Sequence, residues 1–162
     1  MPTTDRQPLI DRYTAGPAEL KAAFETAPIE ARQWKPSASD WSIHEIIIHC
    51  ADSETHAGIR IRLLAAGATP VIIGYDQEHW ARALHYHDRP LDPAFALIES
   101  VRASTANLIA SFDAAAWSSA GTHTGSGKYS ADDWLDTYAV HLHDHADQIR
   151  NNVERWKTAR AR

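Results

Sequence analysis

The sequence predicts an all-α fold, a four-helix bundle with a long crossover between the second and third helices. Two observations favour this fold class: apolar side chains recur at helical spacing in four long segments, and helix-breaking residues cluster between those segments. The chain has 162 residues, about the length of one domain and enough to bury a substantial core. We therefore expect a single domain over residues 1–162.

The first two helices carry recognisable start and stop signals. The first is predicted over residues 6–26, and Pro17 should kink or restart it because proline lacks the amide hydrogen of a helix interior. The second begins after Ser42, whose hydroxyl can cap the helix while Glu45 reaches back, the pattern of a capping box. It should end at Gly67 in the left-handed conformation that glycine adopts readily.

The crossover is predicted over residues 70–89, with a short helix near residues 75–80. The third long helix should follow at Asp92, a capping residue placed before a proline, and should run to about Phe112. A connection of this length is too long for a tight turn. It is typical of bundles in which one connection crosses from one helix pair to the other.

A glycine-rich stretch, residues 121–128, precedes the last predicted helix. We expect no regular structure there. We also assign it no nucleotide role, because no strand precedes it and its glycines have the wrong spacing for a phosphate-binding loop. Ser130 and Asp133 then form a second capping pattern, and the last helix should continue past Ile149.

Charge and composition argue against several classes of partner. The chain has 16 Lys and Arg against 21 Asp and Glu, a net charge of −5, which implies no basic surface for nucleic acid. A lone cysteine, Cys50, cannot form an internal disulfide, and residues 1–13 lack the pattern of a secretory signal. No apolar run is long enough to cross a membrane. We expect a soluble cytoplasmic protein that binds neither nucleic acid nor membranes.

Three histidines, His49, His141 and His145, form the candidate metal site. His141 and His145 are four residues apart on the last helix, and side chains at this spacing share one face about 6 Å apart. His49 lies on the polar side of the otherwise apolar second helix. Three imidazoles from two helices leave coordination positions open for water or substrate, as catalytic rather than structural sites do.

The alternative without a metal site is that these histidines lie on solvated helix faces. A single histidine on a helix is usually a surface residue, and an i, i+4 pair alone is ambiguous. A third histidine on a second polar face favours the metal site. His143 points away from the pair, and His56 lies about 10 Å further along its helix than His49, too far to share the ion.

The ligand type also indicates the chemistry. Neutral imidazoles suit borderline divalent ions, of which we expect zinc or nickel, and they leave the ion a strong Lewis acid. Asp52, less than one turn from His49, is the candidate catalytic residue as a proton carrier. The alternative is that Asp52 orients a histidine through the ring nitrogen that does not bind metal.

Several stretches of the chain together resemble one family. The segment WSIHEIIIHCADSE, residues 41–54, resembles the signature of the DinB/YfiT-like superfamily of metalloenzymes. Residues 13–20, 75–80 and 141–149 (YTAGPAEL, YDQEHW and HLHDHADQI) are similar to its other recurrent stretches. The resemblance covers the chain from about residue 9 to residue 152.

The resemblance implies a four-helix bundle that binds a divalent metal through one histidine on the second helix and an i, i+4 pair on the last. His49, His141 and His145 match those positions. Gln148 and Asp144 depart from some relatives, which carry histidines there. The family's reactions vary: they include transfer of low-molecular-weight thiols such as bacillithiol, mycothiol-dependent isomerisation and metal-dependent hydrolysis.

The leading hypothesis from the sequence is a metal-dependent hydrolase that acts on a small-molecule substrate. One alternative is a metal-dependent S-transferase that uses a low-molecular-weight thiol as its cofactor. Another is a non-enzymatic bundle in which the ion only holds the second and last helices together. The resemblance also implies a homodimer.

Overall fold

The computed structural model describes residues 5–161 and confirms the four-helix bundle. Four helices of the described chain are long, namely the first, second, fourth and sixth helices in chain order. The first helix packs on the sixth helix, and the second helix packs on both the fourth and the sixth helices. In chain order the elements are α1 (Gln7–Thr26), α2 (Ile43–Ala66), β1 (Val71–Ile72), α3 (Gln77–Ala83), α4 (Leu91–Ala110), α5 (Ala114–Trp117), β2 (Ala120–His123), β3 (Gly127–Ser130) and α6 (Ala131–Arg160), with 3-10 turns at Ile29–Ala31 and Tyr86–Asp88.

Three expectations about helix ends and interiors were wrong. α4 begins at Leu91, so Asp92 lies inside its first turn and does not cap it. α1 continues through Pro17 as one helix, so the predicted restart does not occur. Gly67 caps α2 with φ −94° and ψ 147°, an extended rather than a left-handed conformation. Glycine is still required there by space, because a Cβ at Gly67 would lie 2.7 Å from the carbonyl oxygen of Leu63.

The glycine-rich stretch over residues 121–128 is regular, contrary to expectation. β2 and β3 form an antiparallel hairpin, and β1 from the crossover pairs in parallel with β2, with Val71 opposite Thr122. The three-stranded sheet has the order β1-β2-β3. Gly121 allows the close approach, because a Cβ there would lie 2.3 Å from the carbonyl oxygen of Pro70.

A layer of buried polar side chains divides the core in two. One apolar cluster joins the C-terminal half of α1 to the N-terminal halves of α2 and α4, and the other joins the C-terminal half of α2 to the start of α6. Glu54 and Arg102, 0% and 2% exposed, lie along α2 and α4 between the residues of these clusters. Of the helices formed by residues 5–161, none combines the length and apolar character that a membrane span requires.

We expect Gly121→Ala to destabilise the protein by about 1–3 kcal/mol, because the added methyl group overlaps backbone atoms of Pro70. The measurement is the free energy of unfolding in urea. Gly125→Ala is the matched control in the same hairpin, since its Cβ would meet only ordinary contacts of 3.4 Å and 3.5 Å on His123. Equal stability of the two variants would contradict the close packing of β2 against Pro70.

Candidate metal centre

α2 carries His49 into the interior of the bundle. The start of α2 is fixed by the predicted capping box: Ser42 Oγ accepts a hydrogen bond from the Glu45 amide at 3.1 Å, and Glu45 Oε2 accepts one from the Ser42 amide at 2.8 Å. A run of three buried isoleucines over residues 46–48 follows and leads directly into His49. His49 is the next residue and is buried together with this run, so only 1% of His49 is exposed.

α6 places the other two histidines beside His49. The second capping box, between Ser130 and Asp133, fixes the start of α6, and His141 and His145 lie one turn apart further along the helix. The candidate ligand atoms of the three rings all lie within 4.8 Å of one another. The ring centroids are separated by 5.6 Å for His49 and His141, 4.8 Å for His49 and His145, and 4.6 Å for His141 and His145. The structure therefore brings together the three residues that the sequence selects.

The imidazole of His49 is buried without hydrogen bonds. Neither its Nδ1 nor its Nε2 has a partner among residues 5–161. Leaving a polar atom buried and unpartnered costs about 1–3 kcal/mol. A cation between the three rings would give one of these nitrogens a ligand bond, so the residues present fit a divalent metal.

Burial also keeps two of the rings neutral. Burial, followed by the neighbouring His145 and His141, lowers the pKa of His49 to about 2. Burial first and His141 second lower the pKa of His145 to about 4. The neutral imidazole is the form that binds a metal ion, because protonation removes its lone pair. The rings of His49 and His145 are therefore in the metal-binding form at neutral pH.

Three polar side chains lie beside the rings of the α6 histidines. The ring of His145 donates from Nδ1 to Gln148 Oε1 at 2.8 Å, which leaves its Nε2 for a metal. Nδ1 of His141 lies 3.6 Å from Glu54 Oε1, and Nε2 of the same ring lies 3.4 Å from Ser53 Oγ. Gln148, which replaces a histidine of some relatives, thus has an orienting contact of its own.

Glu54 is a site residue that the sequence analysis did not assign. It is fully buried and receives two hydrogen bonds of 2.6 Å from Arg102 on α4. Burial alone would raise its pKa, but His141 and Arg102 outweigh burial and lower the pKa below the ordinary value. A buried carboxylate beside the non-binding nitrogen of a ligand histidine is a common orienting device in metal sites. Its signals in the sequence are its position in the same helix as His49 and its place in the family-like segment over residues 41–54.

Asp52 is not brought into the histidine set formed by the described residues. Its carboxylate accepts a hydrogen bond from the Tyr86 hydroxyl at 2.8 Å and pairs with Arg89 at 3.4 Å. Glu54 is the α2 carboxylate that lies beside one of the three histidines, with Oε1 3.6 Å from Nδ1 of His141. The catalytic role of Asp52 remains a prediction.

A family comparison agrees with this geometry. The family model described as DinB superfamily matches residues 12–149. The chain belongs to the DinB superfamily. The matched region begins in α1 and ends in α6, so it includes all three histidines of this DinB-superfamily protein.

Related proteins carry names of one kind. A protein of Oceanobacillus iheyensis named "Putative metal-dependent hydrolase" is 29% identical over 115 residues, which are 71% of this chain and 66% of that protein, just under two thirds. A protein of Bacillus mycoides with the same name is 25% identical over 139 residues, 86% of this chain and 80% of its own.

A solved structure shows the same fold. YfiT from Bacillus subtilis, described as a probable metal-dependent hydrolase with an unusual four-helix bundle topology, has a TM-score of 0.87 to this chain. The alignment covers 97% of this chain and 90% of YfiT at 20% identity. The likeness establishes the bundle topology, which includes the crossover.

The metal-free protein should lose stability as the pH falls below about 6.5. In the folded protein the pKa values of His49 and His145 are lowered to about 2 and about 4, so below about pH 6.5 the unfolded chain binds more protons than the folded one. Each histidine then removes up to about 1.4 kcal/mol per pH unit. The measurement is chemical denaturation of chelator-treated protein at pH 7.5, 6 and 5, and the slope should decrease in His145→Gln. Equal stability at all three values would contradict the buried neutral rings.

Glu54→Gln should weaken metal binding by about 10- to 100-fold, because the amide no longer gives His141 a charged acceptor. The measurement is competition with a chromophoric chelator. Glu45→Gln is the matched control: it removes another mostly buried carboxylate of α2, one that pairs with Lys35 and, within residues 5–161, makes no hydrogen bond to the three candidate ligands. Equal metal affinity in the two variants would show that Glu54 does not orient a ligand.

Proposed function

We propose that this protein is a metal-dependent hydrolase of the DinB superfamily that acts on a small-molecule substrate. In this proposal His49, His141 and His145 hold one divalent cation, with zinc or nickel as the expected ion. The observation that carries the proposal is that three imidazoles lie together and that the nitrogens of the buried one, His49, have no hydrogen-bond partner in the described chain. The names of the relatives support the hydrolase class.

The donor set favours a reactive ion over a structural one. Structural zinc sites are usually closed by four protein ligands, whereas the cluster in the described residues offers three. A divalent cation held by three neutral imidazoles supplies Lewis acidity, because the ligands bring no negative charge to offset its own. The partly exposed His141, at 16% side-chain exposure, gives the cluster a side that a substrate can approach.

The side chains around the cluster have distinct tasks in this proposal. The indole of Trp41 packs on the ring of His49 at 4.6 Å and keeps water away from its inner side. Gln148 holds the proton of His145 on Nδ1. Ser53, buried and 3.4 Å from Nε2 of His141, can donate a hydrogen bond to a substrate oxygen on which negative charge develops.

The double variant His141→Ala/His145→Ala should lose its bound metal and its hydrolytic activity together. Wild-type protein should contain about one ion per chain, because the three histidines form a single site. The measurements are elemental analysis of purified protein and hydrolysis of a panel of small esters and amides. His143→Ala is the matched control, since its ring lies between the pair in sequence but bonds to the carbonyl oxygen of Arg12 at 2.9 Å.

Each other outcome leads to a different assignment. Equal metal content in the wild type and the double variant would remove the metal site. Metal-dependent conjugation of a low-molecular-weight thiol to electrophiles, without hydrolysis, would assign the thiol S-transferase instead. A large loss of thermal stability on chelation, with neither reaction, would assign a structural ion. The cytoplasmic location and the homodimer stay predictions, and light scattering of the purified protein tests the dimer.

A further inference from the structure

Arg60 on α2 has a positive charge that no carboxylate compensates. Its Nη1 donates to the Tyr138 hydroxyl and its Nη2 donates to the carbonyl oxygen of Ile73, both at 2.8 Å. Its Nε is buried and has no hydrogen-bond partner within residues 5–161. No Asp or Glu of that part of the chain lies within ion-pair distance, whereas Arg89 and Arg102 both have carboxylate partners.

Arg60 lies next to the histidine cluster. Tyr138, which accepts its hydrogen bond, is one turn before His141 on α6, and the centroids of those two rings are 5.7 Å apart. Tyr138 is 3% exposed, and its ring lies between the guanidinium and the candidate metal ligands. The hydroxyl of Tyr138 therefore links Arg60 to the part of α6 that carries the candidate metal ligands.

A second hydroxyl faces this region without a partner. The hydroxyl of Tyr75, at the end of the crossover strand segment, is buried and makes no hydrogen bond within the described chain. Its ring stacks on His56 at 4.4 Å and packs against Trp80 at 4.5 Å, so its position is fixed. Burial is the main cause that raises the pKa of Tyr75 to about 12, while the nearby Ser53 hydroxyl and, more weakly, the charge of Arg60 act in the opposite direction. The hydroxyl therefore keeps its proton and can donate it to an anion.

The charge around Arg60 selects the kind of anion. Burial first and Arg60 second lower the pKa of His56 and of His123, so both rings are neutral at physiological pH. Arg60 thus acts as a cation on both rings, while the carboxylate of Asp52 acts on His56 in the opposite direction. A single guanidinium with two neutral hydroxyls matches the single charge and planar oxygens of a carboxylate better than it matches a phosphate dianion.

We propose that Arg60 and the hydroxyls of Tyr75 and Tyr138 bind a carboxylate of the substrate, so that the enzyme acts on small carboxylic acids. The inference rests on the proposed function in one respect: the other end of the same substrate is expected to react at the three histidines. The carboxylate subsite itself stands on the contacts of Arg60. The competing explanation is that Arg60 only ties the crossover at Ile73 to α6.

The test measures the affinity of purified protein for succinate, glutarate, acetate and inorganic phosphate by calorimetry. Arg60→Met should weaken binding of the better dicarboxylate by about tenfold or more, the expected effect of losing a charge-assisted hydrogen bond. Arg62→Met is the matched control on the same helix, because Arg62 also lacks a carboxylate partner among the described residues but bonds to Gly58, Ser104 and Thr105. Its affinities should equal those of the wild type.

Two further variants separate recognition from structure. Tyr75→Phe leaves both bonds of Arg60 intact and removes only an unpartnered hydroxyl, yet it should weaken dicarboxylate binding severalfold, which a purely structural Arg60 does not predict. Arg60→Lys keeps the charge and should retain part of the affinity if Arg60→Met does not fold.

The subsite is overturned if Arg60→Met and the wild type bind both dicarboxylates equally, or if Arg62→Met loses as much affinity. Arg60-dependent binding of phosphate that is tighter than that of either dicarboxylate would overturn the carboxylate assignment. Metal content is measured on the same samples. Arg60-dependent binding in protein without metal would support the subsite and contradict the hydrolase proposal, whereas bound metal without Arg60 dependence would do the reverse.

Discussion

The candidate site depends on one constraint: the imidazole of His49 is removed from water and buried in the middle of the bundle. The ring is 1% exposed, and neither nitrogen has a hydrogen-bond partner among residues 5–161. The neighbouring His145 cannot relieve this cost as an ion, because burial first and His141 second lower its pKa to about 4. Neutral imidazoles with lone pairs directed at a common space are satisfied together by a cation. A cation in the space between the rings would therefore offset the cost of burying His49.

The ion pair between Glu54 and Arg102 is explained better by positioning than by stability. A buried ion pair gains little net stability, because desolvation of both charges offsets their attraction. This pair, however, connects four helices: Arg102 of α4 donates to the carbonyl oxygen of Tyr13 on α1 at 2.7 Å, and Glu54 of α2 approaches His141 of α6. The guanidinium also lies 3.8 Å from the centroid of the Tyr13 ring. One buried arginine thereby fixes the relative positions of the helices that carry the histidines.

The sequence predicted what local signals determine. The caps at Ser42 and Ser130 and the spacing of His141 and His145 are set by residues within one or two turns. The four long helices and two of the three candidate ligands followed from these local signals. The sequence did not predict the features that depend on pairing between residues far apart in the chain. The hairpin after α5 is completed by β1, whose pairing of Val71 with Thr122 has no local signal, and Glu54 is defined by an arginine 48 residues away. His49 was selected from a polar helix face, yet its burial depends on packing.

The small sheet that the sequence did not predict positions the outer part of the site. The amide of Thr124 donates to the carbonyl oxygen of Ile72 at 2.9 Å, and the amide of Gly74 donates to Thr124 Oγ1 at 2.9 Å. These bonds hold the crossover against the hairpin immediately before Tyr75, and Arg60 secures the intervening Ile73 from the side of α2. The candidate metal ligands thus lie on long packed helices, while the surrounding polar groups depend on a connection. Connections accept insertions and substitutions more easily than packed helices do. A bundle built in this way can change the molecule it recognises without moving the histidines.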